Sequence, residues 1–207
     1  MDKDIGGAKE YISYNQGDVI FSEIDWKGAV GNSSYEWIEL YGNGASAINL
    51  EGWTIEKKNS EGVFSFLIGD SGDNFNNTHI ISSGSYFLLE RNEFATSIAS
   101  DKRYDGELGN SGEHLFLKDA NGNIIDEINY LNGWQDNSND YSRTMSKINN
   151  IWAVGIETPK AVNTAYIVPE EQEIIEEITE PDAITYNARD IVINEIAWMG
   201  DSSDANN

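Results

Sequence analysis

Two acidic residues in the segment "YEWIEL" are the first candidates for chemistry in this sequence of 207 residues. Glu36 and Glu39 flank Trp37 and Ile38, and a pair of carboxyl groups is the usual means of hydrolysing a glycosidic bond. The alternating pattern of the segment predicts a β-strand, in which residues i and i+3 point to opposite faces. We therefore expect structural or surface roles for both glutamates, and no enzymatic activity for the chain.

Metal-binding side chains are few. The sequence has two histidines, His79 and His114, and no cysteine, so a zinc site would need both histidines together with carboxylates. Nothing in their spacing indicates that they converge. The segment "GDSGDNFNN" carries Asp70 and Asp73, which would suit calcium, but a plain polar loop is the preferred interpretation. We expect no metal and no cofactor.

Aromatic residues outside the strand-like segments are candidates for contact with a partner. Trp134 and Tyr141 lie in "NGWQDNSNDY", a sequence typical of a loop, and an exposed loop tryptophan is the best candidate for a protein or carbohydrate contact. Trp26 would either cap the end of the fold or offer a binding surface, and capping is preferred. Three further tryptophans are predicted to lie in the core because each would bury a large area: Trp37, Trp53 and Trp152.

The charge of the chain limits its partners. The formal net charge is −23, from 13 basic and 36 acidic residues. Affinity for nucleic acid comes largely from Lys and Arg that neutralise phosphates, and a negative field opposes it. No segment approaches the roughly 20 apolar residues that span a bilayer, and the N-terminal segment lacks the pattern of a signal peptide. We expect no nucleic-acid partner and no membrane insertion.

The distribution of apolar residues predicts an all-β protein. From residue 18 to residue 164, apolar runs of four to eight residues alternate with turn signals. The clearest hairpin is "HLFLKDANGNIIDEI", in which Asn121-Gly122 supplies positive φ for a tight turn. Residues 1–17 are polar and predicted to be flexible. Residues 165–189, which are rich in glutamate, are predicted to be an acidic linker.

The C-terminal segment repeats the start of the domain. Residues 190–207, "DIVINEIAWMGDSSDANN", match residues 18–35 at five positions, Glu23/Glu195 and Trp26/Trp198 among them. We interpret the segment as the truncated first strand of a second domain. A lone strand cannot bury its apolar face, so residues 190–198 are expected to pair with a sheet edge, in the same chain or by strand exchange with another copy. For Glu23 itself, we prefer a buried, hydrogen-bonded carboxylate that holds a loop.

Several motifs together resemble the lamin-tail domain in its bacterial form: "SEI" (22–24), "EWIEL" (36–40), "LEGW" (50–53), "SGSYFLL" (83–89), "ELGNSGEHLFLKDANGNIIDEINY" (107–130) and "TPKAVN" (158–163). The resemblance implies an immunoglobulin-like β-sandwich over residues 18–164, followed by the linker and the extra orphan strand. Two departures affect turns. Tyr41-Gly42 stands where the family usually has Asn, and Lys160 follows Thr-Pro where the family usually has Gly.

The resemblance also implies a function. It indicates a non-catalytic interaction or structural module of a multi-domain bacterial protein, secreted or at the cell surface, with a protein or a surface polymer as partner. The alternative is an accessory domain that targets a linked extracellular nuclease or other hydrolase through contact with carbohydrate or nucleic acid.

Overall fold

The computed structural model describes residues 13–59, 62–68, 79–136 and 138–168. Within these ranges the chain forms β-strands and no α-helix, so none of them contains a helix that could cross a membrane. The prediction of an all-β protein is confirmed. The strands are β1 (Val19–Asp25), β2 (Trp37–Gly42), β3 (Ile48–Asn49), β4 (Thr54–Asn59), β5 (Gly62–Leu67), β6 (Ile80–Ile81), β7 (Tyr86–Glu90), β8 (Lys102–Arg103), β9 (His114–Lys118), β10 (Ile124–Asn129), β11 (Arg143–Ile148), β12 (Ile151–Ile156) and β13 (Thr164–Ala165).

Two sheets form an immunoglobulin-like sandwich. The larger sheet has seven strands in the order β13-β12-β11-β1-β2-β7-β8, and the smaller has four in the order β10-β9-β4-β5. Neighbouring strands are antiparallel except for β7 and β8, which run parallel. A short pair, β3 and β6, completes the described strands. The predicted fold class is therefore confirmed.

The core lies between the two sheets. Ile38 and Leu40 of β2 point into it, and they are fully buried with Leu115 and Leu117 of β9. Successive side chains of a strand point to opposite faces, so every second residue contributes. Trp53 is fully buried in this core, which confirms its prediction. Trp152 packs against the core as a partly buried residue, so its prediction is confirmed only in part.

The prediction for Trp37 is wrong in its location. Trp37 is fully buried, but it does not belong to the core cluster between the sheets. Because it precedes Ile38 on the same strand, its side chain lies on the opposite face of the larger sheet. That outer face is the one on which the candidate site is built.

The predicted hairpin forms from β9 and β10, which pair antiparallel with Ile124 opposite Lys118. Gly122 has φ of 84°, in agreement with the prediction, whereas Asn121 is not among the residues with positive φ. Asp119 organises the turn, because its Oδ1 accepts hydrogen bonds from the backbone N–H groups of Asn121 and Asn123 at 2.9 and 2.8 Å. The turn is thus longer than the two-residue type that the sequence indicates.

A β-bulge in β1 determines what points outward on the larger sheet. Phe21 is paired with Leu40, but Glu23 is paired with Glu39, so Ser22 is the extra residue. Without the bulge, strict alternation would place Glu23 on the same face as Phe21, in the core. With it, Ile24 points into the core, and Glu23 lies on the outer face beside Glu39.

Several sequence predictions lie outside the described residues. Residues 1–12, most of the acidic linker, the loop with Asp70 and Asp73, and the repeat at residues 190–207 are among them. The last part of the predicted flexible N-terminal segment is packed, because the ring of Tyr14 meets Trp53 edge-on at 5.1 Å. The backbone N–H of Gly17 also donates to the carbonyl of Ile125 at 2.8 Å. The domain boundaries stay a prediction.

Candidate functional site

The outer face of the larger sheet carries four buried carboxyl groups. We name them the carboxylate cluster: Glu23, Asp25, Glu39 and Glu90, each between 0% and 1% exposed. Neighbouring strands bring them together, since Glu23 of β1 is paired with Glu39 of β2, and Trp37 is paired with Asp25 on one side and Glu90 on the other. Acidic residues are almost never fully buried without hydrogen bonds or paired charges, so their partners define the site.

Residues 157–163, here called the C-terminal strap, cover part of this cluster and bind it. Thr158 donates to Glu23 through its backbone N–H at 3.2 Å and through Oγ1 at 2.7 Å. Oγ1 of Thr144 on β11 adds a third donor to Glu23 at 2.6 Å. The backbone N–H of Lys160 donates to Oε2 of Glu39 at 2.5 Å. The interpretation of Glu23 as a buried carboxylate that holds a loop is confirmed.

The strap turns sharply between Thr158 and Ala161, where the N–H of Ala161 donates to the carbonyl of Thr158 at 2.9 Å. Pro159 and Lys160 occupy the centre of the turn, and Lys160 has φ of 57°. Proline followed by a residue of positive φ is the pattern of a type II turn, which favours glycine at the second of these positions. The departure from the family at Lys160 therefore places a side chain in a left-handed conformation, and its Nζ lies 2.9 Å from Oδ2 of Asp101.

A second segment covers Glu90. After β7 the chain passes through residues 92–100, and the backbone N–H and Oγ1 of Thr96 both donate to Oε1 of Glu90 at 2.8 Å. Asp101 follows, and its Oδ2 accepts from the backbone N–H of Leu88 at 2.8 Å. Because Asp101 also pairs with Lys160, this segment and the strap are joined over the cluster.

Burial changes the acidity of the cluster. Loss of solvation raises the pKa of Glu23 from 4.5 to about 7, against the lowering effect of its hydrogen bonds from Thr144 and Thr158. Burial also raises the pKa of Glu39 to about 8, and the nearby charge of Glu23 adds to the increase. Burial raises the pKa of Asp25 well above its ordinary value. Glu23 and Glu39 are closed off from solvent and bonded to Thr158 and Lys160, so these two groups serve as hydrogen-bonded anchors for the strap.

An open groove of about 230 Å³ lies beside the strap on the same face. We name it the tyrosine groove after Tyr41 and Tyr86, which face each other on β2 and β7 with ring centroids 5.2 Å apart and planes at 51°. Asn149 and Asn150, in the turn between β11 and β12, also line it and are exposed. Val162 of the strap, 77% exposed, forms another part of the wall.

The tyrosine groove is lined mainly by neutral groups. Among the described residues that line it, Lys147 alone is charged. Its Nζ lies 3.8 Å from Oδ2 of Asp126 and 5.8 Å from the ring centre of Trp152, so its charge is partly compensated within the protein. The hydroxyl groups of Tyr41 and Tyr86 make no hydrogen bond within the described ranges. The groove can thus offer aromatic faces and free polar atoms to a ligand.

The structure places Trp134 and Trp26 in the interior. Trp134 is 7% exposed and stacks on Trp26 with ring centroids 5.0 Å apart and planes at 22°. Its Nε1 donates to the carbonyl of Gly109 at 2.7 Å. The prediction that Trp134 is an exposed loop residue is therefore wrong, because its loop folds back over Trp26. Trp26 is 3% exposed, in agreement with a capping role rather than a binding surface.

The other residues singled out in the sequence remain separate. Tyr141 is 37% exposed, and its role as a contact residue stays a prediction. Nε2 of His114 lies 3.2 Å from Oε2 of Glu127 on the paired strand. Within the described ranges, no group of three or more histidine or acidic side chains is placed to hold a metal ion.

Sequence reasoning missed two features of this face. It compared Glu39 with Glu36 along one strand, whereas Glu39 meets Glu23 across strands. The recurrence of Glu23 as Glu195 singled out Glu23 in the sequence. Its pairing with Glu39, however, depends on the bulge at Ser22. It also missed the groove. Tyr41 and Tyr86 are far apart in sequence, and only the register of β2 with β7 makes them neighbours.

The comparison with protein families identifies the class of this domain. The family model of the Lamin Tail Domain matches residues 12–132, more than half of the chain, and the chain belongs to this family. The family comprises structural, immunoglobulin-like domains that are not normally catalytic. Glu23, Glu39 and both groove tyrosines lie inside the matched region, and the strap follows it. A comparison with curated proteins gives no match.

The raised pKa values predict that the protein becomes less stable as the pH rises. A carboxyl group whose pKa is higher in the folded state binds a proton more readily there, which stabilises the fold at low pH. This stabilisation decreases as the pH rises from about 4.5 towards 7 for Glu23 and 8 for Glu39, and each pKa unit corresponds to about 1.4 kcal/mol.

Urea unfolding across this range should therefore give a falling free energy of unfolding. Glu39→Gln should flatten the decrease, and the exposed control Glu93→Gln should keep it. A free energy that rises over the range would contradict the account.

The burial of Trp134 predicts a structural role for it. Trp134→Ala should reduce the free energy of unfolding by about 3–5 kcal/mol, because it removes a buried ring and leaves a cavity. Tyr141→Ala, at an exposed position of the neighbouring loop, should change it by less than about 0.5 kcal/mol. Chemical unfolding of both variants measures the difference. Equal effects would show that Trp134 is not an interior residue.

Proposed function

We propose that the chain is a non-catalytic interaction module of a multi-domain bacterial protein that is secreted or displayed at the cell surface. The observation that carries the proposal is the division of one sheet face into a closed part and an open part. Three carboxyl groups with raised pKa, those of Glu23, Glu39 and Glu90, are buried and bound to covering segments, whereas acid–base catalysis needs such groups within reach of a substrate. The open part, the tyrosine groove, offers neutral side chains that suit binding.

Charge and repetition support the rest of the proposal. A net charge of −23 keeps a protein soluble and disfavours polyanions, so the partner is a protein or an uncharged surface polymer. The recurrence of residues 18–35 at residues 190–207 supports an arrangement of tandem copies. Residues 190–198 would then pair with a sheet edge, and strand exchange between copies would give self-association.

The same groove favours a second candidate function. A domain that targets a linked extracellular nuclease or other hydrolase also binds without reacting, and an open groove on a rigid sheet suits that role. The two candidates share the binding step and differ in the domains that accompany this one. The sequence of the parent protein distinguishes them, because a catalytic domain in it would favour the targeting role.

Binding to DNA tests the proposed partner class. We expect the 207-residue chain to leave the fluorescence anisotropy of a labelled duplex unchanged at low salt and micromolar protein, since phosphate contacts would have to overcome the negative field. Incubation with plasmid DNA should leave the plasmid intact. A basic DNA-binding protein serves as the positive control. Saturable binding that weakens with added salt, or cleavage of the plasmid, would contradict the proposal.

A further inference from the structure

We infer that the tyrosine groove binds a neutral carbohydrate, as a short segment of a longer surface glycan. This inference rests on the proposed function, because it names the ligand class of the interaction surface. It depends on three properties of the groove: its aromatic rings, its free amide groups and its low charge.

The two tyrosine rings provide a rigid platform. Tyr41 and Tyr86 lie opposite each other on paired strands of the larger sheet, so the pairing fixes their backbone positions. Their planes meet at 51° and form a cleft instead of a flat stack. Pyranose rings have apolar C–H faces, which pack on aromatic rings, and a tyrosine also carries a polar hydroxyl at its outer edge. These two rings can therefore hold the face of a sugar and bond its hydroxyl groups.

The asparagines provide the matching polar contacts. Asn149 and Asn150 occupy a tight turn with φ of 50° and 64°, and their side chains make no hydrogen bond within the described ranges. An amide can donate and accept at the same time, as adjacent sugar hydroxyls require. Asn163 forms a fixed wall, because its Nδ2 already donates to the carbonyls of Ser22 at 2.8 Å and Lys147 at 3.1 Å.

Charge and size decide between ligand classes. An anionic polymer would need several basic groups, and Lys147, the charged residue among the described lining, is close to Asp126. The volume of about 230 Å³ is smaller than that of most sites for drug-sized ligands. The groove is open to solvent, so it suits one or two units of a chain that continues beyond it.

NMR titration tests the inference on the whole 207-residue chain. The ¹⁵N-labelled protein is titrated with cellohexaose, xylohexaose and mannohexaose in separate experiments. We expect at least one of these sugars to shift the side-chain amide signals of Asn149 and Asn150, together with the backbone signal of Tyr86. Tyr86→Ser should weaken the affinity about tenfold, the value of one aromatic contact of about 1.4 kcal/mol. Tyr86→Phe, which keeps the ring, should retain most of the affinity.

Phe94→Ser is the matched control, since it removes an exposed aromatic ring that does not line the groove. It should bind as the parent does, and thermal unfolding should show that all three variants are folded. The inference is overturned if no probe shifts these signals at millimolar concentration, or if Phe94→Ser weakens binding and Tyr86→Ser does not. Either result would overturn the carbohydrate inference alone, because the DNA-binding experiment tests the proposed function separately. If the protein binds DNA and a sugar also shifts these NMR signals, the proposed function is contradicted. The inference that the groove binds carbohydrate is then supported.

Discussion

The structure of this face depends on one buried carboxylate. Glu23 is fully buried and accepts hydrogen bonds from Thr144 on β11 and from Thr158 in the strap. Its position requires the bulge at Ser22, which turns it out of the core and places it beside Glu39. Breaking a buried network of this kind leaves unsatisfied polar groups in a medium of low dielectric, which costs more than the individual bonds suggest. The strap is therefore held at two carboxyl groups in succession.

The strap in turn separates two environments on one sheet. Over Glu23 and Glu39 it excludes water and keeps the acids in a state that favours protonation. At its far end, Val162 and Asn163 border the open groove beside Tyr41 and Tyr86. The same loop thus stabilises the fold and shapes the surface that is available to a partner. This arrangement suits a structural domain family whose members are not normally catalytic.

Local patterns in the sequence predicted the strands and the hairpin at Gly122, because alternation and turn residues act over short distances. The buried role of Glu23 was predicted from its recurrence as Glu195. Features that depend on long-range register were not predicted. Trp37 is a separate case: it was assigned to the core by residue type, although the local alternation with Ile38 places it on the outer face. Trp134 looked exposed because its neighbours are polar, and its burial follows from the stack on Trp26. Neither the bulge nor the pairing of Tyr41 with Tyr86 has a local signal.

Hydrogen exchange at the strap tests the central claim most directly. If Glu23 and Glu39 hold the strap, the amide of Lys160 should exchange only through global unfolding, with a protection free energy close to that of the core strands. Thr158→Val, which removes the hydroxyl donor to Glu23, should lower the protection of Lys160 more than Thr164→Val at the exposed β13 does. Exchange of the Lys160 amide at the rate of an open loop in the unaltered protein would contradict the account.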